Sequence, residues 1–202
     1  MLIIGVTGPS GAGKGAVSEY MKTAHGFKII DADRVYHDII SAPSDCVSEL
    51  SDNFGNEILN ENGGIDRKAL SKIVFGEENR ERLLLLNKIT HKYVISEIEK
   101  IICNHKSLGA EVCIIDAPLL IEAGVDKMCD HVIAVISDKE IRAERIAKRD
   151  GIDKEAALLR INSQKKDSFY ADAADFVLQN NLSREALETV VDSCLRALGV
   201  LK

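Results

Sequence analysis

Gly8-Pro9-Ser10-Gly11-Ala12-Gly13-Lys14-Gly15-Ala16 follows, after Thr7, on the apolar run Leu2-Ile3-Ile4-Gly5-Val6. A short β-branched run of that kind reads as a buried strand. The spacing G-x-x-x-x-G-K reads as a phosphate-binding loop, and its placement after a strand and before a helix makes that reading strong. Val17, Tyr20 and Met21 recur at helical spacing, which gives a helix from Ala16 to about Thr23. Gly11 and Gly13 let the backbone fold tightly and aim its N–H groups inward. The helix N-terminus adds positive potential toward an anion. Lys14 supplies a movable cation for β- and γ-phosphates. A plain glycine-rich turn would leave that lysine unexplained. One part is missing: Ser or Thr usually follows the lysine and helps to hold magnesium, and here Gly15 and Ala16 follow it.

Beyond the loop, Phe27-Lys28-Ile29-Ile30-Asp31 reads as a second strand, which completes a parallel βαβ unit. From Arg34 to about His105 the pattern is mainly helical, broken by loop signals at Ser41–Ser44, Asn53–Asn56 and Asn60–Gly64. An excursion of this length between two strands reads as an acceptor-binding part; a large crossover connection is the alternative. Val112–Asp116, His131–Ile136 and Asp175–Leu178 complete the strands, Ser137-Asp138-Lys139-Glu140 reads as a capping box, and Ser183–Leu198 reads as a closing amphipathic helix. The expected fold is therefore α/β, a five-stranded, mostly parallel sheet flanked by helices. It is organised as one domain over 1–202, with a core of about 1–33, 108–137 and 167–202. A helical insertion covers about 34–107 and a helical lid about 138–166.

Three groups of charged residues carry the remaining chemistry. Asp31 and Asp33 lie at the carboxyl end of the second strand, the edge at which open α/β sheets bind ligands. Strand alternation points both the same way. Asp33 is read as the general base for an attacking hydroxyl, with a helix N-cap before Arg34 as the alternative. Asp116 ends an apolar strand in the manner of an acid that orders magnesium directly or through water; a structural cap is the alternative. Arg142, Arg145 and Arg149 share one helix face. Gly151 should end that helix and Asp153 cap the next, which carries Arg160 and Gln164. A basic hairpin in an acidic chain reads as a lid that neutralises charge on a transferred phosphoryl group and excludes water. The alternative is a solvated face, because Glu140, Glu144, Asp150 and Glu155 are interleaved.

Composition narrows the classes. The chain has 202 residues, is 46% hydrophobic and 29% charged, and carries a net charge of −6. That balance argues against a general nucleic-acid partner. No apolar run approaches the ~18 residues of a membrane span, and the start MLIIGVTG has no signal-peptide pattern. Five scattered cysteines without C-x-x-C spacing suggest reduced thiols in a cytoplasmic protein rather than a zinc site or disulfide framework.

The ordered set of motifs resembles the dephospho-CoA kinase family over nearly the whole chain. It comprises GPSGAGKG at 8–15, I-D-A-D at Ile30–Asp33, I-D-R-K-A-L at Ile65–Leu70, I-V-F at Ile73–Phe75 and L-N-K-I-T-H at Leu86–His91. It continues with D-A-P-L-L-I-E at Asp116–Glu122, R-x-x-x-R at Arg145–Arg149, R-I-N-S-Q at Arg160–Gln164 and A-D-F-V-L-Q-N-N at Ala174–Asn181. The resemblance implies a P-loop kinase fold with core, acceptor-binding and lid parts. It implies ATP and Mg2+ as cofactors, and phosphorylation of the ribose 3′-hydroxyl of dephospho-CoA, the last step of coenzyme A synthesis. Its partners would be these small molecules, with no nucleic acid or membrane, in a monomer or small homo-oligomer.

By position, Gly11, Ala12, Gly13, Lys14, Gly15 and Ala16 would hold ATP phosphates, with Arg142 and Asn180 also on the nucleotide side. Asp33 would be the base, aided by Lys14, Arg145 and Arg149. Asp31, His91 and Asp116 would serve the acceptor, and Asp33 and Asp116 the metal. The chain departs from the family at Lys14-Gly15-Ala16, where Lys-Ser-Thr is usual, and at Thr90-His91-Lys92, where Thr-His-Pro is usual. Two other readings compete: a nucleoside monophosphate kinase, since the loop resembles that of cytidylate kinases, and a nucleotide-binding regulator without transferase activity.

Overall fold

The computed structural model describes residues 1–202, the side chain of Glu77 apart. In chain order the elements are β1 (Leu2–Thr7), α1 (Lys14–His25), β2 (Lys28–Asp31), α2 (Ala32–Ile40), α3 (Asp45–Phe54), α4 (Arg67–Val74) and α5 (Arg80–Ser107). They are followed by β3 (Val112–Asp116), β4 (His131–Ile136), α6 (Lys139–Asp150), α7 (Lys154–Asn162), α8 (Asp167–Ala171), β5 (Phe176–Gln179) and α9 (Arg184–Ala197). The five strands form one sheet in the order β2-β3-β1-β4-β5. β1 pairs in parallel with β3 and β4, and β4 in parallel with β5. A central strand with neighbours on both sides and cover on both faces needs apolar residues at every position. That is why LIIGVT shows no alternation.

Each strand face has its own role. Ile4 pairs with Ile114 and Val6 with Asp116. Ile4, Val6 and Ile114 join Val17 and Met21 of α1 and Val191 and Leu195 of α9 in one buried cluster. Each fully buried branched side chain there contributes roughly 2 kcal/mol of transfer free energy. At Gly5 a Cβ would stand 2.7 Å from Leu120 Cδ2 and 2.9 Å from Cys129 Sγ. Glycine is required at that point because the segment after β3 crosses close to the strand.

The chain divides into two compact units, residues 1–30 with 105–202, and residues 31–104. The second has a separate core that includes Ile40, Leu50, Ile58, Leu70, Val74 and Leu86. Its helices start on local caps: the Asp31 side chain accepts from Arg34 N, Ser44 from Val47 N, and Asp66 from Lys68 N and Ala69 N. Within α6 and α7 a small cluster of Ala143, Ile146, Ala157 and Ile161 closes the hairpin. Gly151, in the left-handed conformation, ends α6, and Asp153 caps α7. No helix among the described residues is long and apolar enough to cross a membrane.

Several local expectations shift. α1 begins at Lys14 rather than Ala16 and runs to His25, because Gly13 at φ 100° starts the helix directly and Gly26 caps its end. β2 stops at Asp31 and α2 starts at Ala32, so strand alternation does not reach Asp33. The acid that caps α2 is Asp31, not Asp33. The expected capping box before α6 does not form: Ser137 donates instead to Asn180 O at 2.8 Å and Asn181 Oδ1 at 2.9 Å. Gln164 lies beyond the end of α7 rather than on it.

Candidate active site

The loop between β1 and α1 is shaped by contacts on its outer side. At Gly8, φ is 141° and a Cβ would sit 2.1 Å from Val135 O. At Gly13 a Cβ would sit 2.1 Å from Asn180 Nδ2. No other residue fits either position. The carbonyl groups of the loop are then taken up in turn by side-chain donors. Lys14 Nζ donates to Gly8 O at 2.7 Å and Pro9 O at 3.3 Å. Arg142 Nε donates to Ser10 O at 3.0 Å. One Arg145 nitrogen reaches Gly11 O at 3.4 Å and Ala12 O at 3.3 Å. Asn180 Nδ2 donates to Ala12 O at 2.8 Å. These donors hold the carbonyls, while Ala12 N donates to Pro9 O at 3.3 Å and Ala16 N to Gly13 O at 3.0 Å; the positive end of the α1 dipole is the loop's contribution to an anion.

The three arginines of α6 have different environments despite their common spacing. Arg142 is 4% exposed. Besides Ser10 it donates to Asp167 Oδ1 at 2.9 Å and Gln164 Oε1 at 3.1 Å, and that same Gln164 oxygen accepts Ser10 N at 3.1 Å. Burial pulls the guanidinium pKa down, and Asp167 opposes the shift. Both backbone groups of Ser10 are thus held by the pair Arg142–Gln164. Arg145 is half-buried and also donates to Asn180 O at 3.0 Å and Ser137 Oγ at 3.3 Å. Arg149 is exposed; it pairs with Asp150 at 2.7 Å, which raises its pKa, and Asp150 also pairs with Arg160. Arg142 and Arg145 therefore hold the loop's carbonyls, while Arg149 is mostly exposed and reaches the Ser10 hydroxyl at 3.5 Å.

Asp116 ends β3 on the face that α1 covers, and Ser18 Oγ donates to its Oδ2 at 2.8 Å. Nothing in the sequence reading singled out Ser18. Its signal is periodic: it lies between Val17 and Met21 on the buried side of α1 and is itself buried. The hydrogen bonds of Ser137, Gln164 and Asn181 also depend on distant partners; Asn181 Oδ1 accepts Asp138 N at 2.8 Å.

In the unit of residues 31–104, Asp31 is the exposed cap of α2 and Asp33 is exposed in its first turn. His91 is partly buried within α5, and burial lowers its pKa, favouring the neutral imidazole. Lys92, in place of the family's proline, continues the helix and pairs with Glu49 at 2.6 Å, to which Tyr93 OH also donates at 2.6 Å.

An all-protein metal cage is absent among the described residues. The oxygen-only pair Asp116–Ser18 nevertheless suits Mg2+, which keeps several waters and needs one or two carboxylates beside phosphate oxygens. Burial raises the thiols of Cys46 and Cys113 to about 11 and those of Cys129 and Cys194 to about 12, so these sulfurs are protonated and poor metal ligands.

Known proteins resemble this chain along most of its length. A family model described as dephospho-CoA kinase matches residues 2–185. A dephospho-CoA kinase of Fusobacterium nucleatum is 42% identical over 187 residues, covering 93% of each chain. One from Carboxydothermus hydrogenoformans is 41% identical over 184 residues, 91% of this chain and 88% of that one. The solved dephospho-CoA kinase of Campylobacter jejuni superposes with a TM-score of 0.69 at 26% identity, covering 97% of this chain and 96% of that one. With its strand, glycine loop and lysine inside the matched span, this chain belongs to the dephospho-CoA kinase family, and its fold is that of the P-loop kinases.

Proposed function

We propose that the chain transfers the γ-phosphoryl group of ATP to the ribose 3′-hydroxyl of dephospho-CoA, with Mg2+ as the accompanying cation, giving coenzyme A and ADP. The observation that carries this reading is the match to dephospho-CoA kinases along nearly the full chain. The loop supports it, because its carbonyls face protein donors.

Binding falls to the loop backbone from Gly11 to Ala16, at the positive end of α1, and to the Lys14 side chain. Phosphate oxygens would take over the ammonium protons that Gly8 O and Pro9 O now accept. Arg142, Arg145 and Asn180 keep the carbonyl dipoles of the loop pointed away from that anion and add positive charge behind it. Arg149, the exposed arginine of α6, is the lid residue that meets the transferred group. Asp33 accepts the proton of the 3′-hydroxyl as its oxygen bonds to the γ-phosphorus and the bond to the β–γ bridging oxygen breaks. Asp31 is engaged as a cap, so its effect on the acceptor acts through α2. His91 offers the acceptor a neutral imidazole. Asp116 and Asp33 are the carboxylates that would hold Mg2+, directly or through water; bound Mg2+ neutralises charge on the phosphates.

A coupled ATP-consumption assay with dephospho-CoA, CMP, AMP or no acceptor tests the reading. Dephospho-CoA alone should stimulate turnover strongly. Stimulation by CMP or AMP in its place would make the chain a nucleoside monophosphate kinase. Tight ATP binding with no response to any acceptor would make it a regulator.

A further inference from the structure

The loop lacks the hydroxyl that usually follows the lysine, yet α1 carries one three residues further on. Residues i and i+3 share a helix face, so Ser18 presents its hydroxyl on the same side of α1 as Gly15, one turn deeper. The sheet fixes what it meets there. Ile4 pairs with Ile114 and Val6 with Asp116, and all four project on one face of the sheet, the face packed by Val17 and Met21. Ser18 lies between those two residues, 4% exposed, and donates to Asp116 Oδ2 at 2.8 Å. A buried serine in an apolar helix face is costly unless its hydroxyl is paired. Here the partner is the acid at the end of the strand next to β1. Gly15 differs in kind: it is exposed, its φ is not in the left-handed region, and a Cβ there would meet nothing within 4 Å. Serine could occupy that position without strain, so the missing hydroxyl is not excluded by packing.

We propose that Ser18 is a positioning residue that stands in for the absent hydroxyl after Lys14: by donating to one oxygen of Asp116 it orients the carboxylate toward the magnesium of bound Mg2+-ATP. The hydroxyl acts from behind the carboxylate instead of from the loop. The proposal rests on the phosphotransfer reading of this site and concerns only nucleotide and metal. It is therefore tested without any acceptor, and failure of the dephospho-CoA assignment would leave the result untouched.

The experiment follows binding of a fluorescent ATP analogue to the full chain while Mg2+ is titrated, and again in EDTA. Four proteins are compared: unmodified, Ser18→Ala, Gly15→Ser and the double variant. Removing an outer-shell partner typically weakens a metal site by ~10-fold or more, so Ser18→Ala should raise the half-maximal Mg2+ concentration by about that factor. Affinity in EDTA should stay unchanged. Gly15→Ser should bring the double variant back near the unmodified requirement, because a hydroxyl is again available. An unchanged Mg2+ requirement in Ser18→Ala would overturn the proposal. So would an equal loss of binding in EDTA, or the same cost of Ser18→Ala with and without Gly15→Ser, since each marks a purely structural serine. If Ser18→Ala melts too early to assay, Ser18→Cys retains the volume with a weaker donor. It should shift the Mg2+ requirement in the same direction, and no shift there also overturns the proposal.

Discussion

In the unit that carries the glycine loop, the side chains that shape the site reach far along the chain. Arg142 bonds Ser10 across 132 residues, and Asn180 bonds Ala12 across 168. In the unit of residues 31–104 the polar side chains act mainly on near neighbours: Asp31 on Arg34, Ser44 on Val47, Asp66 on Lys68. The contact of Lys92 and Tyr93 with Glu49 is longer in range, and it lies near the surface. The difference teaches where damage should spread. The loop is a product of assembly, so loss of one distant donor should loosen it as a whole. The helical unit is built turn by turn over its own core, so loss of one cap should stay local.

The largest effect expected from this contrast is at Gly13. Gly13→Ala forces a Cβ to within 2.1 Å of Asn180 Nδ2 at a φ of 100°. Nucleotide binding should be lost and Tm lowered. Gly15→Ala, two residues on in open space, should leave Tm the same or slightly higher, since alanine favours a helix by up to ~1 kcal/mol over glycine. Equal Tm losses in the two variants would break the contrast.

Next comes Asp33→Asn, whose kcat should fall by about 10²-fold or more with ATP binding largely kept, as removal of a general base requires. Unchanged kcat would take Asp33 out of that role. Arg142→Ala leaves Ser10 O without its side-chain donor and Asp167 without its ion-pair partner in a part-buried place, and should cost about 2 kcal/mol in denaturant unfolding. It should also weaken ATP binding, because the loop loses its brace. A stability loss with ATP affinity intact would show that the brace does not set the loop. The smallest effect is expected at Asp31→Ala, which removes the cap of α2 at a cost of about 1 kcal/mol. Nucleotide affinity measured without acceptor should not change; a tenfold loss would mean that the helical unit is coupled to the loop.

Much of this was legible along the chain because it depends on local rules. The apolar run at Leu2–Val6, the glycines of the loop, Lys14, the helix stop at Gly151 and the cap at Asp153 each follow from conformational preferences of a few adjacent residues. The parallel sheet followed from uninterrupted apolar strands separated by helices. The family resemblance named the activity because its motifs are ordered along the whole length.

What the linear pattern could not supply was the division of labour among similar residues. Arg142, Arg145 and Arg149 are equivalent by spacing, but α6 packs so closely on the loop that a Cβ at Gly11 would stand 2.8 Å from Arg142 O. That approach buries the first arginine and leaves the last in solvent. Ser137 was expected to cap α6 and instead bonds Asn180 and Asn181, because β4 and β5 end side by side. Asp31 rather than Asp33 became the cap because β2 ends at Asp31 and α2 begins at Ala32, which puts Asp33 inside the first turn. Ser18 became a partner of Asp116 because the register of β1 on β3 sets that carboxylate on the face covered by α1. Local preference sets which elements form and where they stop. The pairing of groups more than a hundred residues apart is set by strand register and helix packing, which no window of neighbouring residues encodes.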